Sequence, residues 1–219
     1  MKKIRRLQLK SDDYPKLLKE IKNPPGHLYF VGNVPEPGEF MVAIVGTREA
    51  GSYGVAQAKR IAKKLSEKGI TVVSGLALGI DGSAHRGALS GKARTFGVLA
   101  NGLDRIYPNS HRPLAKDIIA DGGGLLSEYS KGTPPYPENF LERNRIVSGL
   151  CKALIVIEAP SRSGSLNSAR HALEQNREVF VVPGRINNEN YVGSHRLIRS
   201  GARLVRGAED IIEDLRIPN

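Results

Sequence analysis

Short apolar, β-branched runs alternate along this chain with amphipathic stretches, and the alternation predicts the architecture. Strands are expected at residues 28–31, 40–45, 71–74, 95–99, 124–127, 154–157, 179–182 and 203–205. The central runs are apolar at consecutive positions, the pattern of parallel strands covered by helices on both faces. Between them Val55, Ala58, Ile61, Ala62 and Leu65 recur at helical spacing, with Lys59, Arg60, Lys63 and Lys64 on the opposite, solvated face. Leu114, Ile118 and Ile119 mark a second helix, and Leu166, Ala169, Ala172 and Leu173 a third. The β-α-β order predicts an α/β fold with a doubly wound, mainly parallel sheet in one domain. Residues 39–219 form its body, and residues 1–38 are a lead segment set off by Pro35, Pro37 and Gly38.

In such a sheet the turns that follow the strands collect on the carboxyl edge. Three stretches far apart in sequence are therefore expected to converge there. After the run Val42–Val45 comes Gly46-Thr47-Arg48, with Gly51 and Gly54 beyond it. A helix starting at such a turn presents unpaired N–H groups that suit a phosphate, and Arg48 adds a forked cation. The glycines do not give the dinucleotide-binding spacing. After the run 154–157 comes a second small-residue turn and helix start, Ser163-Gly164-Ser165. Between them Asn139, followed by Glu142, resembles a capping box and starts a helix. On a helical projection Phe140, Ile146, Val147, Leu150 and Cys151 share one arc, Arg143 falls inside it, and Arg145 falls outside. A buried arginine needs a partner, so Arg143 has either a structural carboxylate or a ligand, and the ligand is favoured. Arg145 is read as exposed or salt-bridged. Phe140 either stacks on a base or plugs the core.

Following residues 71–74, Gly75 and Gly79 bring backbone close to the strand ends. Asp81 is read as the cap of the next helix, with His85 one turn on. The pair resembles a catalytic dyad, but the sequence offers no Ser or Cys nucleophile to partner it. A structural cap and a bracing histidine are the preferred reading.

A net charge of +11 adds the expectation of a polyanionic partner. Lys2, Lys3, Arg5, Arg6 and Lys10 make the N-terminus basic, either as a phosphate-binding arm or, preferred, as a solvated end. The lone cysteine, Cys151, excludes a disulfide framework and a cysteine-rich metal site, and its apolar context predicts a packing role. No apolar run approaches the roughly 20 residues that span a bilayer, and the N-terminus lacks the apolar core of a signal peptide. A cytoplasmic protein is expected.

With these turns in place the chain resembles the DNA-processing protein A (DprA/Smf) family. The matching stretches are residues 42–48, 73–89, 102–108, 125–128, 140–150, 158–171 and 181–184, in the family's order. The resemblance implies an extended Rossmann domain that binds single-stranded DNA, forms a homodimer and loads the RecA recombinase onto DNA taken up in transformation. It implies no catalysis and no cofactor. With the turn analysis it gives a candidate DNA- and phosphate-binding set of Gly46, Thr47, Arg48, Gly75, Gly102, Phe140, Arg143, Asn144, Ser163, Gly164 and Ser165. Thr47 stands where the family usually has Ser, Leu78 where Arg is common, Ser168 for Thr and His195 for Asn. The family's N-terminal helical and C-terminal winged-helix domains are not expected within these residues, so functions resting on them are not carried over.

The competing expectation is a nucleotide-processing enzyme like the cytokinin-activating phosphoribohydrolases (the LOG family), which have a related fold. Those enzymes carry a Pro-Gly-Gly-x-Gly-Thr turn followed by a catalytic glutamate. Residues 159–168 hold no Pro-Gly-Gly, and no acid lies between Ser163 and Ala172.

Overall fold

The computed structural model describes residues 3–217, so Lys2 of the basic N-terminal run lies outside the described residues. Its core is the parallel series β3 (Met41–Val45), β4 (Thr71–Ser74), β5 (Thr95–Val98), β6 (Gly124–Ser127), β7 (Ala153–Val156), β8 (Glu178–Val181) and β9 (Arg203–Leu204). The intervening helices are α2 (Ser52–Glu67), α3 (Ile80–Ala88), α4 (Arg112–Ala120), α5 (Pro137–Gly149), α6 (Gly164–Glu174) and α7 (Val192–Arg199), and α8 (Ala208–Asp214) follows β9. Alternate residues of one strand serve opposite helix layers, as a period of two requires. In β3, Val42 and Ile44 pack with α2, α3 and α8. Ala43 and Val45 pack with α5 and α6. That division explains why β3 reads as an unbroken apolar run.

The lead segment is part of the same sheet. β1 (Arg5–Gln8) and β2 (His27–Gly32) pair antiparallel, and β2 pairs antiparallel with β6. The nine strands run β1-β2-β6-β5-β4-β3-β7-β8-β9. Between β1 and β2, Tyr14, Leu18 of the short helix α1 (Lys16–Lys19) and Ile21 enter the main core. β1 was not expected, because Leu7 is its only apolar residue. Arg5 is held by the carbonyl of Gly32 and lies 4.4 Å from the centre of the Phe30 ring, so part of the basic terminus is strand rather than a free arm.

Three local expectations are corrected. Helix α5 begins at Pro137 after Tyr136, not at Asn139. Proline suits a first helical position because its missing N–H has no partner to lose. Asn139 instead donates to the carbonyls of Ala100 and Pro134. Asp81 lies inside α3, whose N-cap is Gly79, and its carboxylate accepts from Gly75 N at 3.1 Å and Ala77 N at 3.4 Å. It therefore closes the preceding loop. Leu173 is 59% exposed and not part of the α6 core face. Cys151 is buried in the core as expected. Among the described residues no helix is long and apolar enough to cross a membrane.

Candidate nucleic-acid interface

From β3 the chain winds through β4 and β5 to β6. It then returns to place β7 on the other side of β3 and winds the opposite way through β8 and β9. The carboxyl ends of β3 and β7 thus flank the topological switch point, where open α/β sheets leave a crevice. A cleft of about 640 Å³ opens there. Gly46, Thr47, Arg48, Phe140, Arg143, Asn144, Ser163, Gly164 and Ser165 all line it. Gly75 and Gly102 do not.

Arg48 is exposed and, among the described residues, makes no ion pair. Its guanidinium carbon lies 4.6 Å from the centre of the Phe140 ring. Tyr107, 44% exposed, sits at 5.7 Å ring to ring from Phe140. Phe140 is half-buried and belongs to none of the hydrophobic core clusters, unlike Ile146, Val147, Leu150 and Cys151 on its arc. The first turn of α5 projects past the strand ends, so the same helical face that meets the core further along meets the cleft here.

Arg143 is 4% exposed and, among the described residues, no carboxylate bonds it. Its Nη1 donates to the carbonyl of Gly75 at 2.7 Å and to that of Val98, strapping α5 to the ends of β4 and β5. A Cβ on Gly75 would overlap the guanidinium, so this glycine makes room for Arg143 rather than for a ligand. Burial pushes the Asp81 carboxyl up, and the nearby Arg143 charge opposes it. Arg145 pairs with Glu128 at 2.6 Å on the other side of the helix. His85 makes no contact with Asp81. Its Nδ1 meets Thr95 Oγ1 at 2.8 Å, and that hydroxyl donates to the carbonyl of Val72. Thr95 therefore accepts from His85, the proton sits on Nδ1, and the buried Nε2 has no partner among the described residues.

The remaining candidates have structural anchors. Asn144 donates to the Gly164 carbonyl and to Asn167 Oδ1, both at 3.2 Å, docking α5 against the start of α6. Ser163 caps α6, accepting from Ser165 N, and the two hydroxyls are 2.7 Å apart. Gly102 donates its N–H to the Thr133 carbonyl, under the turn that leads to α5.

The first turn of α2, expected to offer free N–H groups, already holds an anion. The buried Glu158 accepts from Gly51 N at 3.0 and 3.3 Å. Glu158 and Asn190, which meets it at 2.7 Å, were not among the candidates. The signal available was an acid ending the apolar run Ile155-Val156-Ile157, together with glycines at 51 and 54 that do not give the dinucleotide-binding spacing.

The chain matches the family model of DNA recombination-mediator protein A over residues 5–216. It is 44% identical over 206 residues to protein Smf of Escherichia coli, covering 94% of this chain and 55% of that protein. It thus spans about half the length of that relative. The X-ray structure of DNA processing protein A from Streptococcus pneumoniae superposes with a TM-score of 0.89 at 38% identity, covering 96% of this chain and 74% of that one. The Helicobacter pylori protein, solved for its single-stranded DNA binding mode, gives a TM-score of 0.84 at 33% identity, covering 98% and 96%.

Proposed function

As this chain belongs to the family of DNA recombination-mediator protein A, we propose that its switch-point cleft binds single-stranded DNA, without base preference and without catalysis. In this reading the protein protects incoming DNA and loads RecA recombinase onto it in transformation and recombination, as a cytoplasmic homodimer.

The observation that carries the reading is the stacked pair Arg48–Phe140, 4.6 Å apart at the mouth of the cleft. Within one nucleotide's reach it offers an unpaired cation for a phosphate and an aromatic face for a base. Tyr107 extends the platform. Stacking is tolerant of sequence because every base has a π-face. Ser163 to Ser165 line the same cleft, Arg143 ties α5 to Gly75, and Asn144 ties it to Gly164. The net charge of +11 supports a polyanionic ligand. The binding mode described for the Helicobacter pylori relative points the same way. Helix α6 carries no acid before Glu174 at its far end, so the phosphoribohydrolase reading lacks its glutamate.

The test is a gel shift of oligo(dT) against duplex DNA at two salt concentrations. Tight, salt-sensitive binding of oligo(dT) with weak duplex binding is expected, and equal binding of both would overturn the reading. Free base released from nucleoside monophosphates would establish the enzyme instead. RecA loading is tested by RecA filament formation on DNA coated with single-strand binding protein, which should rise when this protein is added.

A further inference from the structure

Glu158 lies behind the cleft and bonds both ends of the turn that carries Arg48. It is 1% exposed at the end of β7. Its carbonyl accepts from Thr47 N at 2.8 Å, and its carboxylate accepts from Gly51 N. The two tethers bracket the five-residue turn that carries Arg48. Asn190, on the polar loop between β8 and α7, reaches the middle of that turn. It donates to Glu158 Oε1 at 2.7 Å and to the Glu49 carbonyl at 3.3 Å. Tyr191 Oη lies 3.3 Å from the other carboxylate oxygen. A Cβ on Gly54 would overlap that oxygen, so α2 is itself shaped around Glu158.

Arg48 has no side-chain hydrogen bond of its own among the described residues. Its place beside Phe140 is therefore set by the backbone of its turn. We propose that Glu158, acting with Asn190, is the positioning group for Arg48, fixing the turn from beneath so that the guanidinium stays over the ring. The inference rests on the reading that Arg48 serves a DNA cleft. It also links the loop between β8 and α7 to that cleft, since Asn190 joins the two.

The test uses Asn190→Ala, a half-exposed position whose loss spares the core, because Glu158→Ala leaves a buried cavity and several unpaired groups. The first readout is hydrogen exchange of the segment 47–51 in the full chain without DNA. Faster exchange there, with the rest of the sheet unchanged, is expected, and unchanged exchange overturns the clamp whatever the binding data show. The second readout is oligo(dT) affinity in a double-mutant cycle with Arg48→Ala. Asn190→Ala alone should weaken binding about fivefold, the worth of one hydrogen bond. It should also flatten the salt dependence toward that of Arg48→Ala. In the Arg48→Ala background it should cost nothing more, because its effect passes through Arg48. Additive losses would mean that Asn190 acts independently, and the positioning role would fall. If Arg48→Ala alone leaves affinity unchanged, the DNA reading of the cleft fails, and the clamp is then judged by exchange alone. Tyr191→Phe, removing one hydroxyl, should give a smaller change in exchange in the same segment.

Discussion

Arg143 and Gly75 are fitted to each other: the guanidinium donates 2.7 Å to the Gly75 carbonyl, and any side chain on residue 75 would occupy the guanidinium's place. The charge is therefore engaged inside the fold before any ligand arrives. Truncating Arg143 would leave the Gly75 and Val98 carbonyls without this donor and the buried Asp81 carboxylate without its nearest cation. Arg143→Ala should lower unfolding free energy by about 2–4 kcal/mol, measured by urea denaturation. Gly75→Ala should be destabilising by the same route, since the guanidinium must move. A variant at 143 that keeps full stability but loses DNA affinity would show that Arg143 is a ligand contact instead.

Arg48 is expected to behave in the opposite way. It is exposed and unpaired among the described residues, so Arg48→Ala should leave the thermal midpoint nearly unchanged. If it meets one phosphate, the slope of log affinity against log salt should become shallower by roughly one unit, equally for any DNA sequence. An unchanged slope in a folded variant would remove Arg48 from the interface.

The contrast between these arginines marks how far the sequence is legible. Both follow turn signals, and both reach the cleft, because the β-α-β order alone brings the carboxyl ends of β3 and β7 together. Strand β3 was readable because its two faces bury equally. β1 was not, because Arg5, Arg6 and Gln8 give an edge strand no apolar alternation. A helical projection groups Phe140 with Ile146, yet only the second reaches the core. The projection shows direction but not where the helix overruns the sheet. Glu158 escaped for a different reason. Its partner Gly51 is 107 positions away, and such pairings are fixed by the packed fold rather than by local pattern.

The buried His85 gives a pH signature. Burial, with the neighbouring His111 and arginine charges, lowers its pKa to about 3, while an unfolded histidine titrates near 6.5. A folded pKa below the unfolded one means that the unfolded chain takes up the extra proton. The stability held by neutral His85 is complete above pH 6.5 and is lost as pH falls toward about 3. Replacing it with Gln removes this term. Whatever its offset at pH 7, His85→Gln should gain about 2 kcal/mol relative to the native chain between pH 7 and pH 5. Urea unfolding at both pH values measures it. Parallel losses in the two proteins would show that His85 is protonated within the fold.

Phe140 decides whether the cleft recognises a strand or only its charge. Its ring carries no charge, so removing it should not change the number of counterions released on binding. What it offers is a surface for an unstacked base, together with Tyr107 at 5.7 Å. Such stacking contributes about 1–3 kcal/mol per base. A duplex keeps its bases stacked internally and cannot present one to the ring. Phe140→Ala should therefore weaken oligo(dT) binding about thirtyfold, near the middle of that range. Duplex binding and the salt slope should scarcely change. Because the ring lies outside the core clusters, the variant should fold with a midpoint close to that of the native chain. The Arg48 guanidinium keeps its place through the backbone of its turn, so the double variant Arg48→Ala with Phe140→Ala should lose about the sum of the two. Equal losses on oligo(dT) and duplex would mean that the ring only supports the arginine, and that the cleft selects for charge and not for a single strand.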